Sequence, residues 1–131
     1  MSAHVAVFAR LSTYAPLTAL VGTRIYPGVV PEIPTWPAIS YTVSTMTPDH
    51  GALSDPVLAK AMVMVSVRAR TQLEAIAIVT QVSGALDRYR QVTINGVKVD
   101  DCFLEDVTDM YEFDARIFHM SMSFRMHTRL P

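Results

Sequence analysis

The stretch from Phe118 to His127 restricts the fold most. Every second residue there is large and apolar (Phe118, Met120, Met122, Phe124, Met126), and the residues between them are polar: His119, Ser121, Ser123, Arg125 and His127. Side chains alternate between the two faces of a strand, so this period of two predicts a half-buried strand over 118–127. A sheet built from such strands packs one face on a core and leaves the other polar, which is the habit of antiparallel sheets.

The same period recurs upstream. Ile39, Tyr41 and Val43 alternate with Ser40, Thr42 and Ser44 over 38–45, and Val63, Val65, Val67 and Ala69 alternate with Met62, Met64, Ser66, Arg68 and Arg70 over 61–70. Thr71 followed by Glu74 has the spacing of a capping box and opens a helix over about 72–89. That helix is apolar over a wide arc (Leu73, Ile76, Ile78, Val79, Val82, Leu86), which predicts that it lies largely buried. Asn95-Gly96 between two short β-rich runs predicts a two-residue hairpin. Its second arm should run to about Val107, with a bulge at Asp100-Asp101, before a turn near Asp109–Asp114.

Toward the N-terminus, residues 3–11 and 16–21 read as short helices, the second with Pro16 in its first turn and Gly22 after its end. Arg24-Ile25-Tyr26 is a short extended piece, and Pro27, Pro31, Pro34 and Pro37 mark a surface connector. Residues 46–59, with Pro48, Asp49, Gly51, Asp55 and Pro56, lack periodicity and read as a long loop, a kind that usually carries function. The order of elements predicts a single α+β domain over 1–131. Its mainly antiparallel sheet has four to five strands, with one long helix (about 72–89) and the short N-terminal helices packed on one face.

A chain of 131 residues buries roughly two-thirds of its unfolded surface, enough for one core without staples. Half of the residues are apolar and only 18% are charged, an excess of apolar surface that points to burial against partners. No apolar run approaches the roughly 18–20 residues needed to span a bilayer, because Arg10, Lys60, Arg68, Asp87 and Asp101 interrupt every candidate. The N-terminal stretch also lacks the basic flank of a signal peptide. A net charge of −1 gives no footprint of general nucleic-acid binding. Cys102 is the one cysteine, which rules out an intrachain disulfide and a cysteine-based zinc site and fits folding in the cytosol.

Catalytic signals are sparse. His119 and His127 share a face, but eight strand residues separate them by roughly 26 Å, too far to share a metal. His50 beside Asp49 is the remaining candidate pair, and two adjacent residues in a loop fit a partner contact better than a catalytic base. No phosphate loop, nucleophile elbow or paired-cysteine motif occurs, so neither an enzyme nor a cofactor is expected.

Two features stand out. Asp100, Asp101, Glu105, Asp106, Asp109, Glu112 and Asp114 follow one another with no Lys or Arg between Lys98 and Arg116. They read either as a solvated edge that discourages stray strand pairing or as an electrostatic surface. Such a surface would face Arg68, Arg70, Arg88 or Arg90 of a neighbouring copy, or line a channel that repels DNA phosphates. Met62 and Met64 point away from the helix-facing valines. They expect either a protein contact or cover from the N-terminal helix.

Several phrases, in their order, resemble a known family: Leu20-Val21-Gly22-Thr23-Arg24-Ile25-Tyr26-Pro27, then Pro37-Ala38-Ile39-Ser40-Tyr41, then His50 and Leu53. Val65-Ser66-Val67-Arg68-Ala69-Arg70-Thr71, Glu74-Ala75, Leu104-Glu105-Asp106, Asp109-Met110-Tyr111 and Ser121-Met122-Ser123-Phe124-Arg125 follow. From about Leu17 to His127 the chain resembles the tail-completion proteins of long-tailed phages, also called tail terminators or head–tail joining proteins. The resemblance implies a virion structural protein without catalysis, assembled in the host cytoplasm into a hexameric ring at the head-proximal end of the tail tube. The ring would contact the tail tube protein and the head-completion or connector protein, with DNA passing through its lumen.

By analogy, Asp49, His50, Leu53, Asp55 and Lys60 would form a partner-contact segment, although Leu53-Ser54-Asp55-Pro56 stands where the family pattern leads one to expect a glycine. Met62, Met64, Arg68, Arg70, Asp100, Asp101, Glu105 and Asp106 would serve the subunit interface or the lumen. Two alternatives remain open on sequence. One is a different ring of the neck or tube; the other is a small dimeric α+β enzyme or ligand-binding protein with a pocket between helix and sheet.

Overall fold

A computed structural model describes residues 2–28, 35–49, 58–89, 92–94, 97–113 and 116–129. Three helices, α1 (Ser2–Thr13), α2 (Ala15–Val21) and α3 (Gln72–Leu86), lie against one sheet. Its strands are β1 (Ile25–Pro27), β2 (Ala38–Asp49), β3 (Leu58–Ala69), β4 (Val92–Ile94), β5 (Val97–Glu112) and β6 (Ile117–Arg129), in the order β1-β2-β3-β6-β5-β4. Every pairing is antiparallel except β1 with β2. The expected α+β architecture stands, and the sheet reaches six strands because a three-residue piece closes each edge.

The alternation read from the sequence sets the two faces. Ala61, Val63, Val65, Val67 and Ala69 of β3 are fully buried, and β6 pairs Met122 with Val65 and Phe124 with Val63 on the same face. Leu11, Leu17 and Val21 from the first two helices and Ile78, Val82 and Leu86 from α3 complete that core. Cys102 is buried in it too, where lost solvation, reinforced by the charges of Asp87 and Asp101, pushes its thiol up to about 12. Only about one molecule in ten thousand then carries the thiolate at pH 8. Thiol reagents are therefore expected to label Cys102 only after unfolding, and rapid labelling of the native protein would contradict its place in the core.

Local chemistry explains where elements begin and end. The Thr71 hydroxyl accepts from the Glu74 amide at 3.2 Å, the N-cap foreseen for α3. The helix stops at Leu86 rather than 89, because Arg88 takes a left-handed backbone (φ 61°) and its amide donates to the Cys102 carbonyl of β5. The Asp87 carboxylate accepts from the Leu104 amide at 3.0 Å, so the end of α3 is stapled onto β5. Gly84, inside α3, leaves room for the Tyr14 hydroxyl, which lies 3.1 Å from where a Cβ would sit.

Four expectations need correction. The segment 46–59 is not all loop: β2 runs on to Asp49, β3 begins at Leu58, and the two pair throughout, with a register shift between Val43 and Thr45. Lys60 therefore sits on a strand, opposite Thr47 and His127. β5 continues past Val107 to Glu112, and β6 begins at Ile117, so the expected turn at 109–114 starts later. It carries a second bulge between Leu104 and Asp106 besides the foreseen one between Val99 and Asp101. Finally, α3 is not buried over its whole apolar arc. Leu73 is 81% exposed and Ile76 44%, because its first turn overhangs the β5 side of the sheet, where Gln72 reaches Asp109 at 3.3 Å.

Candidate functional site

Helices cover one face of the sheet, and no described element covers the other. That open face carries mainly polar side chains, with Met62, Met64 and Met110 among them, and its geometry follows from strand register. Ser40, Ser66, Ser121 and Thr108 are successive cross-strand partners, so a row of hydroxyl side chains runs across four strands. Charged groups flank this row on both sides. Arg68 Nε lies 3.5 Å from Glu112 Oε1, and its Nη1 donates to Ser40 Oγ at 3.3 Å. The same carboxylate takes His119 Nδ1 at 3.0 Å. Further along, Arg125 ion-pairs with Glu105 at 3.4 Å, and His127 Nδ1 meets Asp101 Oδ1 at 2.6 Å.

Such half-exposed pairs contribute only about 0–1 kcal/mol each to stability. Their larger effect is on charge. Two carboxylates of the acidic run of β5, Glu105 and Glu112, are neutralised inside the chain by Arg125 of β6 and Arg68 of β3. Asp106, exposed and opposite Ser123, is the carboxylate of this face without a partner among the described residues.

The remaining site residues fall as follows. Met62 is half-buried and Met64 is 38% exposed, both on the open face; α1 lies on the opposite side and does not cover them. Arg70 is exposed beyond the end of β3 and, with Trp36, Arg116 and Ile117, lines a cavity of about 290 Å³. Asp49 ends β2 opposite Leu58, and Asp100 lies at the bulge after Val99. His50, Leu53, Asp55 and Arg90 lie outside the described residues. No cluster of His, Cys, Asp or Glu suited to a metal occurs among the described residues, and no described helix is long and apolar enough to cross a membrane.

Burial lowers the pKa of His119, the nearby Arg68 guanidinium lowers it further, and the Glu112 carboxylate opposes both only in part. The unfolded chain, with an ordinary histidine near 6.5, then binds the proton more readily than the folded one. His119 should leave stability intact above pH about 6.5 and erode it as the pH falls from there toward its native pKa. Denaturant midpoints at pH 7.5 and 5.5 should differ less in His119→Gln than in the wild type. An unchanged difference would remove His119 as its source.

Sequence reasoning missed Arg10. Its Nε donates to the Ala85 carbonyl at 2.8 Å, and its guanidinium lies 4.8 Å from the Tyr14 ring centre and 4.4 Å from that of Tyr89. A basic residue in the last turn of a short helix was the only available signal.

Comparison with known proteins bears on this arrangement directly. No curated protein matches the chain. Among solved structures it resembles a chain of "Virion of native gene transfer agent (GTA) particle", with a TM-score of 0.76 at 22% identity, over 94% of this chain and 91% of that one. At that identity the likeness shows a shared fold. The family model described as "Tail completion protein gp17" matches residues 5–129, nearly the full length. The open-faced sheet with its three helices is therefore that of a structural, non-enzymatic protein of the phage tail, and the chain belongs to the tail completion protein gp17 family.

Proposed function

We propose that the chain is a tail terminator: six copies form a ring at the head-proximal end of the tail tube and end tube growth. The ring then offers its far side to the head-completion or connector protein, and DNA passes through the middle. The observation that carries this reading is the open sheet face. It is rich in hydroxyls, and two of its strand arginines, Arg68 and Arg125, are each held by a carboxylate of β5.

Turned toward a lumen, such a surface suits a passing duplex. Affinity for DNA phosphates comes mainly from Lys and Arg that displace counterions. Guanidinium groups already paired with Glu112 and Glu105 supply little of it. The β2–β3 hairpin, with Asp49 and Lys60 on its two strands, is the part of the chain we assign to the tube or connector.

Native mass spectrometry of the purified protein, alone and with tail tube protein, tests the reading, together with tube lengths measured by electron microscopy. A six-copy species and tubes that stop growing when the protein is added are expected. A chain that stays monomeric in both settings and leaves tube growth unchanged would sink the proposal.

A further inference from the structure

Charge is unevenly spread along this chain. Residues 2–28, which form α1, α2 and β1, contain Arg10 and Arg24 and no Asp or Glu, whereas seven carboxylates lie between Lys98 and Arg116. The strands of these segments lie at opposite edges of the sheet, β1 outermost at one and β5 with its short partner β4 at the other, while α1 crosses the helical face between them and leaves Arg24 as the basic residue at the β1 edge.

Each edge also leaves apolar surface uncovered. On the β5 side, Val107 and Tyr111 are exposed, Phe113 projects at 82% exposure, and Leu73 is presented by the overhanging start of α3. Tyr111 packs edge-on against both Phe113 and Phe118, at 5.0 and 4.9 Å between ring centres, so this is an organised aromatic knob. On the far side a groove of about 340 Å³ runs between α1, α2 and β1, lined by Phe8, Ser12, Thr18, Gly22, Thr23 and Ile25. Arg24 stands at its rim, with Nη1 3.7 Å from where a Cβ on Gly22 would sit.

We propose that these two edges are partners: the Phe113 knob of one copy seats in the α1–α2–β1 groove of the next. The acidic residues flanking the knob then face the Arg24 rim. The proposal rests on the ring reading and names the contact that would close the ring. Self-pairing of either edge is disfavoured. Two acidic edges repel, and two grooves present hollow to hollow. A contact between two different patches is heterologous, the kind that builds a ring when its rotation closes. An exposed aromatic anchor facing an apolar slot is the arrangement that carries most binding energy in protein interfaces.

The test uses two variants at exposed positions, Phe113→Glu on the knob and Ser12→Glu in the groove, with circular dichroism confirming that each folds. Light scattering and native mass spectrometry are run under conditions where the wild type assembles, alone or on tail tube protein. Each variant by itself is expected to lose assembly, with self-association weakened at least tenfold. Mixed in equal amounts the two should form dimers, because one wild-type knob and one wild-type groove remain. Variants that assemble like the wild type, or a mixture that stays monomeric, overturn the contact and leave the ring reading standing. A wild type that never assembles overturns both.

Discussion

Replacing Phe124 with alanine is expected to lower the unfolding free energy by about 3–5 kcal/mol. Phe124 is fully buried at the middle of the sheet, between Val63 of β3 and Leu104 of β5, under the helical layer. Its ring has no replacement if it is removed, so the change combines lost transfer energy with a cavity in a close-packed core. Domains of this kind are stable by only about 5–15 kcal/mol, so the loss is a large fraction of the whole. Ser123→Ala, one residue away on the open face, is expected to change stability by no more than about 0.5 kcal/mol. Urea denaturation of the two variants measures the contrast. Equal costs would mean that the faces of β6 are assigned wrongly.

Arg10→Ala is the second large effect, at about 2–4 kcal/mol, although the side chain is only half-buried. Three contributions add up. A charged donor satisfies the Ala85 carbonyl, an acceptor that the last turn of α3 leaves without a helical partner, at about 1.5–3 kcal/mol. Two aromatic rings flank the guanidinium, at roughly 0.5–1 kcal/mol each. Its charge also sits near a helix C-terminus. These overlap, so their sum is an upper bound. Arg10→Lys should recover only a minor part, because an ammonium keeps the charge but neither the planar fork nor the stacking. Arg70→Ala, exposed and without a described partner, should leave the denaturation midpoint nearly unmoved. Full rescue by lysine would reduce Arg10 to a bulk charge effect.

What could be read from the sequence, and what could not, follows from the range of the interactions involved. β3 and β6 were legible because one face is packed and the other wet, so their alternation is clean. The N-cap at Thr71 was legible because capping spans three residues. β2 was cut short because Pro48 looks like a loop residue. Among the described residues, β1 pairs with residues 39–41 of β2 and no strand lies beside Pro48 on that side, so a missing amide donor there breaks no described ladder. β5 was cut short by its carboxylates, which are strand residues: Glu105, Asp101 and Glu112 meet Arg125, His127 and Arg68 across the sheet.

Those pairings needed the register, and the register needed both bulges. The second bulge, between Leu104 and Asp106, left no mark in the hydrophobic pattern. The exposed ends of α3 and β5 were misread for a different cause: apolar periodicity reports that a face avoids water, not whether its own chain or another covers it. Arg10 and Ala85 lie 75 positions apart, beyond any local pattern.

The bulges of β5 also bear on what happens when many copies are crowded together. A straight, unpaired strand edge is a template on which any extended peptide can add, without limit and without regard to identity. Two extra residues within seven positions break the even spacing of amides and carbonyls along β5, and the turn after α3 already occupies the amide of Leu104 and the carbonyl of Cys102. That part of β5 is thereby a poor template for backbone-driven fibre growth. Recognition at that edge is left to side chains, which discriminate between partners, so a chain made in quantity in one compartment can remain unaggregated until the correct surface is presented.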